Sequence, residues 1–501
     1  MTASRWQLAG KYRAFLAVLA MLAVLLLAGC LPIPNVPVEL DVAPSVYLVP
    51  PGEVEPDYFE VAGVNVTSNP GEYDRSGVLR YRVGDVPSRM ILVLMPGIFG
   101  GAANFDIIAR ELVASTRGLE VWSVDRRSNL LEDRSGMIRA LEEEDPEVAL
   151  HYYLTSAGEE RGFQPLPEDE AAYLRNWGLD VHLGDLHRIV LEAREEAPVV
   201  VLGGHSLGAS IVTIYASREF EGGHGQEFVD GLLLIDGFLG RTGGFGREDE
   251  GIAFGPIRLA PSVAELEAGG GPPYSDSIIS PEYQIEREIA AIYALLDPDG
   301  RAPAELSDFP TQNRALVGIR NDEEYAMTPV FGASLGEAVD ARFAGNLGAF
   351  LLAGREGARS RTVTGVAPDA EMVRWSQGEP DPEPTNLDDF IRMWTLRQSN
   401  PSEWYFPLRL GLDMTLLPPT LADTPGYLPS YEVTLPTLLI GASRGLVPDF
   451  DAVRSYVNAR YGSPVSVSIL PGFTHLDVVT ARDNPAVGII RRWLELWTRV
   501  L

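Results

Sequence analysis

Three serines of this 501-residue chain stand in the pattern Gly-x-Ser-x-Gly: Ser206, Ser334 and Ser443. The pattern suits a nucleophile in one setting, a tight turn from a buried strand into a helix, where the hydroxyl is lifted clear and its neighbours must lack side chains. Ser206 has that setting, with the strand-like "PVVVLG" before it and the helical "ASIVTIYASREF" after it. Ser334 follows "AMTPVF", which makes no convincing strand. Ser443 follows a good strand, but only 58 residues remain beyond it, too few for an acid-bearing strand and then a histidine-bearing one. The ordinary alternative for Ser206 is a helix-capping serine in a glycine-rich turn.

A serine nucleophile needs a base whose proton affinity lies near neutrality, which is the province of histidine. His475 sits in "LPGFTHLDVV", just past the last strand-like segment, where a loop would carry its imidazole to the carboxyl end of a parallel sheet. The other histidines fit less well. His151 falls in an insertion, His182 and His187 on the helix before the nucleophile strand, His205 inside the turn, and His224 in a glycine-rich loop. His182, Asp185 and His187 raise the thought of a metal cluster, but positions five apart do not share a helix face, so a solvated helix is expected and no metal.

Stepping outward, "YFEVAGVNV", "GVLRYRV", "MILVLMPG", "LEVWSVDRR", "PVVVLG" and "FVDGLLLIDG" read as strands, with "FDIIARELVA" and "VHLGDLHRIVLEAR" as helices between them. Strands alternating with helices, with runs apolar on both faces, predict a mostly parallel sheet flanked by helices. The alternation stops at Gly237 and resumes near residue 432 with "LPTLLIGAS", the helix "DFDAVRSYVNARYG", the strand "VSVSILPG" and a terminal helix. The block between holds helical pieces such as "SPEYQIEREIAAIYALLD" and no clear strand. Expected, therefore, is one α/β domain in two parts, 57–236 and 432–501, interrupted by a mainly helical cap or lid at 237–431, with a smaller insertion near 132–180.

On these motifs the chain resembles the α/β-hydrolase superfamily over residues 60–240 and 432–501. The matching segments are "GHSLG", "MPGIFGG", "VDRRSN" and "GFTHLD". The resemblance implies an oxyanion hole from the backbone N–H of Leu207 and that of Ile98, with Phe99 as the neighbour that could replace Ile98. Proline stands at position 96 where most members have histidine, a difference that a backbone role tolerates. The acid departs from the pattern: the usual slot after the penultimate strand holds Arg444. Two substitutes remain, Asp236 at the end of "GLLLID", a position some members use, and Asp449, which a helix cap would explain without chemistry.

The first 29 residues read as a leader, with Arg5, Lys11 and Arg13 before an apolar run from Ala14 to Ala28 that is short for a membrane span. Leu27-Ala28-Gly29-Cys30 resembles the lipobox of bacterial lipoproteins, in which the chain is cut before the cysteine and the cysteine is acylated. Cys30 is the single cysteine of the chain, so no internal disulfide can form. Residues 30–56, rich in proline, read as a tether. The net charge of −30 excludes a nucleic-acid partner.

Together these readings imply a lipid-anchored, extracytoplasmic bacterial serine hydrolase acting on a small-molecule ester or acyl substrate, with no cofactor. A peptidase or acyltransferase of the same fold shares the machinery. Arg444 in the acid slot favours a third alternative, an inactive surface-binding protein.

Overall fold

The computed structural model describes residues 46–67, 70–84, 87–237, 246–247, 251–254, 257–275, 280–306, 313–314, 317, 361–362, 371–372, 384–417, 421, 424–447 and 465–498. Cys30, Ser334, Asp449 and the segment read as the helix "DFDAVRSYVNARYG" lie outside them.

Eight strands form the main sheet: β1 (Asp57–Ala62), β2 (Arg75–Tyr81), β3 (Met90–Met95), β4 (Leu119–Asp125), β5 (Val200–His205), β6 (Gly231–Ile235), β7 (Thr437–Arg444) and β8 (Val465–Thr474). Their spatial order is β1-β2-β4-β3-β5-β6-β7-β8. β2 runs antiparallel to both β1 and β4, and every other pairing is parallel. The helices α1 (Asp106–Ser115), α2 (Leu179–Glu196), α3 (Leu207–Ser217), α4 (Pro281–Leu296), α5 (Leu387–Trp394), α6 (Leu408–Leu416) and α7 (Pro485–Thr498) complete the elements used below.

The strand sequences explain the layering. Successive side chains of a strand point to opposite faces, and β3 is apolar at every position because both faces are covered. Ile91, Val93 and Met95 join the core that α2 and α3 close with Leu183, Leu186, Ile189, Ile211 and Ile214. Met90, Leu92 and Leu94 join the opposite core, closed by Ile108 and Leu112 of α1 and by Ile489, Ile490 and Trp493 of α7.

Between Gly237 and residue 431 none of the described elements enters the main sheet. The block is not free of strands, as the sequence suggested. Residues 246–247, 251–254 and 257–260 form a separate three-stranded antiparallel sheet. These strands are two to four residues long, too short for alternation to register in the sequence. A third core joins Met137, Leu150, Tyr153 and Trp177 to Ile285 and Ile289 of α4 and to Trp404. The two stretches read as separate insertions thus share one apolar interior. The stretch read as tether docks in part: the Leu48 amide donates to the Ala114 carbonyl of α1 at 2.6 Å, and Val54 is buried.

Candidate active site

Ser206 closes β5 and opens α3 with φ 57° and ψ −121°, a conformation that costs a non-glycine residue about 1–3 kcal/mol and persists only where the surroundings enforce it. Here they do. The Ser206 amide donates to the Ile235 carbonyl of β6 at 3.0 Å, and the Ser206 carbonyl accepts from the Ala209 amide at 3.1 Å. The flanking glycines are required by close approach: a Cβ on Gly204 would lie 2.3 Å from the Gly208 carbonyl carbon, and one on Gly208 only 2.0 Å from the Met95 carbonyl oxygen.

His475 follows β8, and its Nδ1–H donates to Asp236 Oδ2 at 2.6 Å. That bond fixes the tautomer in which Nε2 carries the lone pair, the form a general base needs. Of the two substitutes for the acid, Asp236 is brought to His475; Asp449 lies outside the described residues. Asp236 is wholly buried and its carboxylate accepts three further bonds: Oδ1 from the Ala442 and Val447 amides, each at 3.0 Å, and Oδ2 from the Leu446 amide at 2.9 Å. All three donors belong to the end of β7 and the loop leaving it, the place where the family pattern would put its acid. The third Gly-x-Ser-x-Gly copy lies here, at 441–445. Its Gly445 is needed because a Cβ there would sit 2.2 Å from Asp236 Oδ2. Ser443 is the last residue but one of β7, and its Oγ accepts from the Gly472 amide at 2.8 Å. The motif at 441–445 therefore builds a cradle for the acid.

His205 lies against His475, ring centroids 4.4 Å apart. Burial and the neighbouring imidazole hold His205 well below the usual histidine range, so it is neutral, and its Nε2–H donates to the His475 carbonyl at 2.8 Å. The buried residue before Ser206 thus fixes the backbone of His475.

The loop after β3 carries Ile98, the residue expected to supply an oxyanion donor. Gly97 lies so close to Ser206 that a Cβ there would be 2.9 Å from Ser206 Cβ. A turn follows, closed by the Gly100 amide on the Gly97 carbonyl at 3.3 Å. Phe99 takes φ 56° at the third position, where glycine is usual. Ile98 is half-buried beside it, and Leu207 is the first residue of α3.

Two residues that the sequence reading did not single out hold this turn. Arg126, buried after β4, donates to the carbonyls of Pro96 at 3.0 Å, Gly97 at 2.8 Å and Gly100 at 3.0 Å. Its charge is met by Glu403, also buried, through Nη2 to Oε2 at 2.5 Å. The Glu403 amide in turn donates to the Phe99 carbonyl at 2.9 Å. Arg126 was in view within "VDRRSN"; Glu403 had no local signal, since it stands 277 residues away. Arg127 serves the scaffold: it pairs with Asp185 of α2 at 2.5 Å and lies over the Trp177 ring.

Asp185 is thereby committed to an arginine. His182 donates through Nδ1 to the Gly178 carbonyl at 2.8 Å and is pushed down to about 3 by burial. His187 bonds Tyr215 at 2.9 Å and stacks on Phe220. No cluster of three His, Cys, Asp or Glu suited to a metal occurs among the described residues. Nor, among them, is any helix long and apolar enough to cross a membrane.

No described protein family and no curated protein matches the sequence. Solved structures do align with the chain. It is similar to a presumed lipase from Sulfolobus solfataricus at 15% identity and TM-score 0.47, covering 93% of this chain and 99% of that one. It is also similar to a thermophilic esterase from Thermogutta terrifontis (12%, TM-score 0.35, 88% and 99%) and to an epoxide hydrolase from Mycobacterium thermoresistibile (14%, TM-score 0.37, 88% and 98%). With a strained serine turn above a mostly parallel sheet, and serine, acid and histidine following strands of that sheet in this chain order, the chain has the α/β-hydrolase fold.

Proposed function

We propose that this chain is a serine hydrolase that cleaves carboxylic esters through an acyl-enzyme on Ser206. The observation that carries the reading is the bond from His475 Nδ1 to the buried, four-times-bonded Asp236. It supplies the orienting carboxylate whose apparent absence from the Arg444 slot was the reason to consider an inactive scaffold.

In the proposed reaction Ser206 Oγ attacks the acyl carbonyl carbon and His475 Nε2 takes the hydroxyl proton. The carbonyl electron pair moves onto oxygen, where the amides of Ile98 and Leu207 receive it. Collapse of this intermediate breaks the bond to the alkoxy group, which leaves with the proton held by His475. A water then repeats the attack on the acyl-serine, giving up its proton to His475, and the carboxylic acid departs as Ser206 is restored. Asp236 keeps its negative charge throughout and steadies the imidazolium. The leader of residues 1–29, followed by Cys30, adds the second half of the proposal: the enzyme is a lipoprotein of a bacterial envelope, its catalytic body outside the cytoplasm.

The test is turnover of p-nitrophenyl esters of graded chain length. The wild-type chain is expected to release p-nitrophenol and Ser206→Ala to release none. Equal turnover by the two would refute the reading.

A further inference from the structure

The segment that carries Glu403 rests on two carboxylates. Glu132, in the turn beyond β4, and Glu288, on α4, share one donor: Asn400 Nδ2 stands 2.8 Å from Glu132 Oε2 and 2.6 Å from Glu288 Oε1. Glu288 Oε1 also accepts from Ser402 Oγ at 3.1 Å and Trp404 Nε1 at 2.7 Å. Glu132 Oε1 accepts from the Trp404 amide at 2.9 Å and Asn129 Nδ2 at 3.3 Å. Glu288 is fully buried; Glu132 is half-buried, with its carboxyl turned inward to these partners.

Five of these six bonds come from residues 400–404, and that segment is sewn to the oxyanion loop. The Ala103 amide donates to the Asn400 carbonyl at 3.2 Å, and Asn104 Nδ2 to the Pro401 carbonyl at 2.8 Å. A Cβ on Gly101 would lie 2.4 Å from the Asn400 carbonyl oxygen. Glu403 reaches Phe99 and Arg126 as described.

Two full negative charges so close and so dry repel strongly. Among the described residues the cation paired with them is Arg134, with Nε 3.5 Å from Glu288 Oε2 and its Nη2 engaged by the Leu396 carbonyl at 2.8 Å. Asp125 of β4 adds further negative charge. Tyr58 of β1, Tyr153 and Tyr405 also face the pair, all three pushed up by burial and so neutral.

We propose that Glu132, held protonated beside the Glu288 carboxylate, is a positioning residue, and that its proton seats the 400–404 segment, and through it the oxyanion loop, in the catalytic arrangement. Burial and the Glu288 charge raise Glu132 well above the ordinary carboxyl range, in keeping with that geometry. Loss of the proton as pH rises sets like charges against each other under the segment and loosens the loop. The effect falls on stabilisation of the oxyanion, which is made only in the transition state, and so on kcat more than on KM.

The inference rests on the serine-hydrolase reading, and two measurements on the full chain keep their failures apart. The first is the pH profile of ester turnover. Wild type is expected to lose kcat on the alkaline side with KM little changed, and Glu132→Gln, which mimics the protonated acid, to pass through that region without the fall. The second measurement needs no activity. A carboxyl raised in the folded state keeps a proton that the unfolded chain gives up above about pH 4.3, so stability falls as pH rises from there toward the folded value. Glu132→Gln is expected to flatten that decline in Tm, and Glu288→Gln, which removes the neighbouring charge, to flatten it as well. The proposal is overturned by a Tm slope shared by wild type and the variants. It is equally overturned by an alkaline kcat limb that persists in Glu132→Gln, or by wild-type kcat that holds to the pH of unfolding. Turnover that survives Ser206→Ala counts against the hydrolase reading, while the Tm slope still judges the pair.

Discussion

Asp236 carries the argument at the scale of single residues. Its Oδ1 accepts two backbone amides, and its Oδ2 accepts a third together with His475 Nδ1. In Asp236→Asn the amide oxygen must take the Oδ1 side, leaving Nδ2 against the Leu446 amide and His475. The imidazole is then driven to the tautomer with hydrogen on Nε2 and can no longer act as base. Turnover is expected to fall by about 10⁴ with the near-ultraviolet dichroism of the folded chain retained; a variant within a few-fold of wild type would move the acid elsewhere. The place of Asp236 was legible, because a carboxylate ending a buried apolar strand has few structural reasons to be there. What no sequence pattern conveys is its cradle: the donors are amides of Ala442, Leu446 and Val447, and a backbone N–H leaves no mark on residue type.

At the scale of elements, the strand–turn–helix around Ser206 was readable because each part has its own signature: β-branched residues, then glycines, then small helix formers. The loop that faces it was only half readable. "MPGIFGG" announces a tight turn, but the groups that hold the turn, Arg126 and Glu403, meet across 277 positions. Removing one partner of a buried ion pair leaves a charge without compensation, at a cost of about 3–5 kcal/mol. Glu403→Gln is therefore expected to lower the unfolding free energy, read by denaturant titration, by an amount in that range and to reduce kcat through a displaced Ile98 amide. Unchanged stability with unchanged kcat would mean that the turn holds itself. The short strands at 246–260 escaped the reading for a plainer reason, since two to four residues carry no period.

At the scale of the molecule, the described chain enters at the end of the sheet remote from the serine. Leu48 docks on Ala114 near the last turn of α1, whereas Ser206 and His475 follow the carboxyl ends of β5 and β8. Cys30→Ser is expected to shift the protein from the membrane fraction to the soluble fraction, or to leave the leader uncut, with esterase activity per molecule unaltered. Processing and fractionation identical to wild type would point to a plain leader or an anchor helix in place of acylation.

The central claim, that Ser206 is the nucleophile of a charge-stabilised triad, is tested most directly by mapping a fluorophosphonate adduct by peptide mass spectrometry. Such a probe forms its bond to phosphorus only at a serine activated by a base and faced by oxyanion donors. The account predicts one adduct, on the peptide containing Ser206, absent from Ser206→Ala and strongly slowed in Asp236→Asn. An adduct on Ser334 or Ser443, or full-length folded protein that stays unlabelled, would contradict it.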